Sequence, residues 1–205
     1  MTIERGEDWG ESGPLSAIGV VVATDAAARR VVTDARRVGG AIPELGLIGG
    51  DLWRTCGGPK GGEDRLVSTE ARRLPVDLGS VLIDGVHHWF TAHLVARRSW
   101  WQGPVVAVMN AQFMGAWNVA PKGHPNDGRL DVLEASMTTT ERLKARARLR
   151  SGSHVPHPDI RERRVSAVQL DLPPKTTIWL DGEAVKRDAR VLSIRVEPDA
   201  LTCVV

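Results

Sequence analysis

The sequence predicts an α+β protein: a β-rich, sandwich-like domain preceded by a small α/β remnant of strand, helix and strand. Three observations carry this expectation. Short β-rich runs separated by turn signals crowd the chain from Leu66 onward. Near the front, an apolar run, an Ala/Arg-rich run and a second apolar run follow one another within residues 18–48. Between the two halves, Gly49 to Asp64 places six glycines in sixteen residues and breaks both patterns. The expected organisation is a polar tail over residues 1–13, an α/β segment over 14–60 and a β-rich domain over 61–205.

Taken in order, Ile18 to Ala23 is β-branched, short and preceded by Gly13-Pro14, and reads as a buried strand. Thr24-Asp25 offers an N-cap for a helix from Ala26 to Val38, which Gly39-Gly40 ends. Pro43 to Ile48 reads as a second strand, so the unit fits a parallel layer. The Gly49–Asp64 stretch reads either as a surface loop or as a phosphate cradle. It does not match GxxxxGK[ST], because Gly61 follows Lys60.

Beyond it, Asp84-Gly85 between Ser80–Ile83 and Val86–Phe90 signals a two-residue hairpin. Val105–Met109, Leu130–Leu133, Ile178–Leu180 and Val191–Val196 read as further strands, with Thr202–Val205 as a terminal one. Arg142–Arg150 alternates as a strand would. However, Thr138 with Glu141 forms a capping box and the residues are good helix formers, so a helix is expected there.

Composition narrows the function. The chain has 205 residues, 42% hydrophobic and 25% charged, which excludes bulk disorder. No apolar run approaches the roughly 20 residues needed to span a bilayer. Met1–Gly13 is acidic and polar, unlike a secretory signal, so a cytoplasmic protein is expected. Cys56 and Cys203 cannot make a disulfide scaffold, and no Cys/His spacing indicates zinc. A net charge of +2 and the lack of an aromatic-plus-basic RNA motif argue against nucleic acid. His87-His88 and His93 make a poor chelate, because adjacent strand residues point to opposite faces.

The order of motifs in the second half carries a resemblance. Val105–Asn110 is followed by Gly115, Ala120-Pro121, Asn126-Asp127-Gly128-Arg129-Leu130-Asp131-Val132, Gly152-Ser153-His154 and Leu180-Asp181-Gly182-Glu183. Over residues 75–205 this resembles the C-terminal half of the diacylglycerol-kinase-like lipid kinases. A weaker match extends forward. Gly49-Gly50-Asp51-Leu52-Trp53-Arg54-Thr55 is similar to the end of the family's GTGND[LF]AR segment, and Ala23-Thr24-Asp25-Ala26-Ala27 stands where the family has GGDGT. The aspartate survives there and the glycines do not. The α/β segment that precedes this point in the family has no counterpart in the sequence.

The resemblance implies ATP-dependent phosphorylation of a lipid hydroxyl, with Mg²⁺ on the nucleotide. It implies Glu183 as general base with Asp181 beside it, and Asp25, Gly49, Gly50, Asp51 and Arg54 on the nucleotide side. It also implies a structural Mg²⁺ held by Asp127 and the backbone carbonyls at His124 and Arg129. Each has a plainer counterpart. Asp181-Gly182-Glu183 also reads as a simple hairpin turn, Asp127 as a turn residue capping amides, and Asp25 as a helix N-cap. With alanines where glycines should admit phosphate, a pseudokinase that binds lipid, membrane surface or protein is the alternative.

Arg142 to Arg164 holds eight basic and two acidic residues. It reads as a solvated face or as one drawn to anionic headgroups, placing the protein peripherally at a membrane. Trp100-Trp101 reads as an interfacial anchor or as packing. A homodimer supplying missing elements in trans is a further expectation, since a curtailed α/β layer would leave apolar surface exposed.

Overall fold

The computed structural model describes residues 9–205. The front of the chain forms β1 (Glu11–Ser12), β2 (Val20–Val22), α1 (Asp25–Arg37), β3 (Leu45–Leu47), α2 (Gly50–Thr55) and α3 (Gly62–Leu66). Then come β4 (Arg72–Ile83), β5 (Val86–Phe90), β6 (His93–Arg97), β7 (Val105–Met109), β8 (Phe113–Met114), β9 (Trp117–Asn118) and β10 (Leu130–Ala135). The last part adds α4 (Thr139–Leu149), β11 (Ile160–Val165), β12 (Ala167–Asp171), β13 (Thr177–Leu180), β14 (Glu183–Lys186) and β15 (Val191–Val204).

Local chemistry accounts for the boundaries. Thr24 has extended backbone and its Oγ1 accepts the Ala27 N–H at 3.1 Å, which starts α1. Asp25 in the first turn and Arg36 and Arg37 in the last complement the helix dipole. Thr138 caps α4 through the Glu141 N–H at 3.3 Å, so the capping box prevails over the alternating pattern. Asp84-Gly85 and Asp181-Gly182 have positive φ at both positions, the geometry of tight hairpins.

Two long strands organise the rest. β4 and β15 pair antiparallel from Arg73↔Val204 to Ile83↔Leu192, with one irregularity between Glu197 and Leu201. At one end they are flanked by β5 and β12, giving the first sheet of a sandwich. At the other end β15 pairs in parallel with β3, which pairs in parallel with β2. A second sheet of six strands, in the order β11-β10-β7-β6-β13-β14, faces the first. Val81, Ile83, Phe90, Leu192 and Ile194 meet Leu94, Val108, Val132, Ile178 and Leu180 in the core between them. A second core packs α1 and α2 on the other end of the ribbon, through Val32, Leu52, Leu74, Leu78 and Cys203. The outer face of the six-stranded sheet carries Ala107, Met109 and Leu133 and lies beside α4. β7 is therefore buried on both faces, which explains its unbroken apolar run.

Several expectations are corrected here. The 1–13 segment is not wholly a tail: β1 pairs with Arg72 and Arg73, and Trp9 Nε1 donates to the Pro75 carbonyl at 3.0 Å. Residues 1–8 lie outside the described residues. Gly49–Asp64 contains α2 and the start of α3 rather than a continuous loop. Thr202–Val205 is largely the end of β15, not a separate strand. The α/β segment and the β-rich segment share one sheet. Among the described residues, no helix is long and apolar enough to cross a membrane.

Gly79 lies opposite Phe90 in the β4–β5 ladder, and a Cβ on it would run into the Phe90 ring. Gly79→Ala should therefore destabilise the sandwich by about 1–3 kcal/mol, read as a lower Tm in thermal unfolding.

Candidate functional site

The candidate residues meet where the β13–β14 hairpin, the β5–β6 corner and the starts of α1 and α2 converge. Asp181 occupies the first turn position of the hairpin, and its side chain points inward. Its Oδ2 accepts the Thr91 N–H at 3.0 Å, and its Oδ1 accepts those of Ala92 at 2.8 Å and His93 at 3.1 Å. One buried carboxylate thus holds the corner where the chain crosses between sheets. Burial pushes its carboxyl above the usual range, against the lowering effects of His93 and the three N–H donors.

Glu183 shares an arginine with Asp181, whose Oδ2 lies 3.7 Å from Arg29 Nε. Its Oε2 pairs with the Arg29 guanidinium and its Oε1 with that of Arg30, both on α1. Arg29 therefore bridges the two acids across the hairpin turn.

Asp25, Asp51, Gly49, Gly50 and Arg54 do come together. The Asp25 carboxylate accepts the N–H groups of Asp51 at 2.6 Å and Leu52 at 3.0 Å, at the start of α2. Burial raises its pKa to about 6, opposed by those two bonds. Asp51 receives the Gly115 N–H at 2.7 Å on one oxygen and lies 3.0 Å from His93 Nε2 on the other. Burial opposes a proton on His93, but the Asp51 bond and the surrounding carboxylates outweigh it and raise its pKa. Arg54 donates to the Gly115 carbonyl at 2.7 Å and lies over the Phe113 ring.

These contacts test the fit of a triphosphate. A Cβ on Gly49 would meet the Ala23 carbonyl oxygen at 2.6 Å, and one on Gly50 the Asp25 carboxylate at 2.7 Å. The glycines thus make room for the chain's own backbone and carboxylate. The anion at the start of α2 is Asp25, and Arg54 is already engaged, so these residues do not fit a nucleotide phosphate in this arrangement.

Asp127, His124 and Arg129 lie in a separate loop. Asp127 Oδ1 accepts the Arg129 N–H at 3.0 Å, and Oδ2 pairs with the Arg164 guanidinium. Arg164 Nε also lies 3.4 Å from Asp131 Oδ1. The His124 ring accepts the Asn126 N–H through Nδ1 and sits edge-on to Trp9. Among the described residues no group of three or more His, Cys, Asp or Glu is placed to hold a metal. A guanidinium, Arg164, stands between the carboxylates of Asp127 and Asp131 and supplies the positive charge there.

A cavity of about 370 Å³ opens between α4 and the outer face of the six-stranded sheet. Trp100, Trp101, Trp117, Met114, Leu133 and His154 are among the residues that line it. Arg142 is buried and donates to the carbonyls of Met137, Trp100 and Gly103, tying the tryptophan segment to α4. Arg146 lies over the rings of Trp101 and Trp117. The cavity borders the acidic cluster: Gly115, held by Asp51 and Arg54, follows the cavity residue Met114. Trp100-Trp101 and the basic run were visible in the sequence as signals. Met114, Trp117 and the inward placement of His154 were not, because strands distant in sequence bring them together.

Residues 78–205 match the family described as the YegS C-terminal NAD kinase beta sandwich-like domain. The chain belongs to that family. The fold is also similar to three solved structures from Bacillus anthracis str. Sterne, two described as putative diacylglycerol kinases and one as a diacylglycerol kinase. Identities are 15%, 16% and 16%, with TM-scores of 0.67, 0.65 and 0.59. In each case 91% of this chain is covered, against 76%, 77% and 75% of the other. No curated protein matches by sequence. Within this YegS-type sandwich, Asp181 sits at the β13–β14 turn and Asp127 in the loop before β10.

Mg²⁺ or EDTA should leave the Tm unchanged, whereas Arg164→Ala should lower it. A Tm that rises with Mg²⁺ and falls back with EDTA would restore the metal reading. Asp131 is pushed up to about 7 from 3.8, by burial first and by Glu162 next. The folded state then holds this proton more tightly than the unfolded chain. The stability it contributes is full below about pH 3.8 and lost as pH rises through about 7. Asp131→Asn should therefore gain Tm relative to the wild type between about pH 4 and about pH 8.

Proposed function

We propose that this chain is a non-transferring member of its family that binds the apolar chain of a lipid in the cavity behind Trp100 and Trp101. The observation that carries the reading is the engagement of Glu183. A general base for phosphoryl transfer must face the attacking hydroxyl, whereas both oxygens of Glu183 are paired with Arg29 and Arg30. Asp25 adds to this, since it fills the start of α2 with the chain's own negative charge.

The cavity supports the lipid part. Its wall is dominated by aliphatic and indole side chains, which favour a hydrocarbon chain at about 25 cal/mol per Å² of apolar surface removed from water. Trp100 and Trp101 are partly exposed at its edge, and indoles favour the headgroup zone of a membrane. Arg146, Arg148 and Arg150 are exposed on the same helical segment, each worth about 1 kcal/mol near an anionic surface.

The second reading is an ATP-dependent lipid kinase with Mg²⁺ on the nucleotide. It is favoured by the Asp181-Gly182-Glu183 hairpin and by the partial exposure of Glu183, whose side chain is 43% accessible. Under that reading Arg29 and Arg30 would have to release Glu183 and turn to phosphate.

One pair of assays separates the two. Wild type incubated with labelled ATP-Mg²⁺ and a total lipid extract should transfer no label above Glu183→Gln. It should still bind anionic vesicles with a change in tryptophan fluorescence, and Ala107→Phe, which fills the cavity, should abolish that change. Labelled lipid in the wild type that disappears in Glu183→Gln would overturn the non-transferring reading.

A further inference from the structure

We infer that Arg97, held between Trp100 and Trp179 on the outer face of the six-stranded sheet, is a binding site for a phosphate group. The site lies outside the cavity's interior, but the choice of phosphate rests on the membrane reading of Trp100 and Trp101 given above.

Arg97 is the last residue of β6 and pairs with Val105 of β7 and Thr177 of β13. Val105 lines the cavity, and Arg97, directly opposite it in the ladder, projects from the same face. Trp179 pairs with Val95, two residues before Arg97, and shares that face. The guanidinium carbon lies 4.4 Å from the ring centre of Trp100 and 4.8 Å from that of Trp179. Trp100 thus forms a partition, with the cavity on one side and a cation on the other.

The other arginines that are drawn inward have partners that account for it. Arg29, Arg65, Arg73 and Arg163 pair with carboxylates, and Arg142 donates to carbonyls. Arg97 is half-buried like them, yet it makes no hydrogen bond or ion pair among the described residues. Its Nε is enclosed without a partner, while its terminal nitrogens reach solvent. Burial lowers its pKa, and no carboxylate opposes that effect.

Indole faces take only the flat of a guanidinium. The N–H donors lie along its edge and stay unpaired, which is costly for a half-buried cation. An anion at that edge removes the cost. A phosphate matches it, because two of its oxygens can accept two parallel N–H bonds from the planar fork. Arg98 and Trp101 are exposed on the same connection between β6 and β7. Indoles settle in the headgroup zone of a membrane, where phosphodiesters are the anions within reach.

The test uses two probes on the full chain: vesicles of equal phosphatidylcholine and phosphatidylglycerol, read by cosedimentation, and inorganic phosphate, read by tryptophan fluorescence. Arg97→Met keeps the stem and removes the donors. It should weaken vesicle binding about tenfold, with a Tm no lower than that of the wild type. Arg148→Met removes an exposed charge from α4. Its effect should vanish in about 0.5 M salt, where exposed charges are screened, whereas that of Arg97→Met should persist. Arg97→Lys keeps the charge without the fork and should remain several-fold weaker than the wild type. An Arg97-dependent response to inorganic phosphate alone would support the site and assign it to a soluble phosphate. Equal responses of wild type and Arg97→Met to both probes would overturn it, and a lowered Tm alongside them would leave Arg97 as packing between indoles. Ala107→Phe reports on the cavity separately. A fluorescence change with vesicles that survives in Ala107→Phe would count against the hydrocarbon reading, while the cosedimentation comparison of Arg97 variants would stand.

Discussion

The β4–β15 ribbon is the constraint on which the other elements depend. Its two strands belong to the sandwich at one end and to the α/β layer at the other, so neither half has a sheet of its own. The ladder is interrupted between Glu197 and Leu201, and Asp77 lies at that break. The Asp77 carboxylate accepts the N–H groups of Asp199 at 3.0 Å and Gly128 at 2.7 Å, while its own N–H donates to the Pro125 carbonyl. A single buried acid therefore ties the irregular part of β15 to the loop before β10. Burial raises its pKa, opposed by the two amide bonds. Apolar packing supplies the bulk of each core, but this polar junction sets their register against each other.

The same use of carboxylates recurs at the candidate site. Asp25 takes two amides of α2, Asp181 takes three from the β5–β6 corner, and Asp51 holds Gly115 and His93. Each acid that the family resemblance would assign to chemistry is occupied within the chain. Arg29, Arg30, Arg54 and Arg164 are likewise engaged by internal acids, a carbonyl or a ring. A fold can survive the loss of its ligand when internal groups replace the ligand's contacts, because the buried donors remain satisfied.

Much of the fold was legible because its signals are local. Thr24 and Thr138 announce helices through their own hydroxyls, and Asp84-Gly85 and Asp181-Gly182 announce hairpins through backbone conformations that few other pairs adopt. Two features were hidden. α2 has no side-chain cap of its own, because its cap is Asp25, distant in sequence. Residues 197–201 read as a break between strands, yet β15 continues through them because β4 pairs on both sides of the irregularity. The site was legible as residue types and not as partnerships. Asp181, Gly182 and Glu183 are recognisable as a motif, but the pairing of Glu183 with α1 depends on how that helix is set against the hairpin. Composition carries no trace of that.

The parallel pairing of β3 with β15 also bears on how the chain acquires its structure. Among the described residues, β2 and β3 join the rest of their sheet only through Cys203 and Val204. Those partners lie far apart along the described chain, so the contact closes a very long loop and brings its reward late. During synthesis the β2–α1–β3 unit emerges before β15 and must wait, with the inner face of α1 uncovered, until that strand arrives. The sandwich waits on the same strand, since β4 and β12 both pair with β15, although the β4–β5 and β13–β14 hairpins can close before it. Both layers are thus completed only when β15 is made, and until then the apolar face of α1 is open to chaperones or to mispairing with another chain.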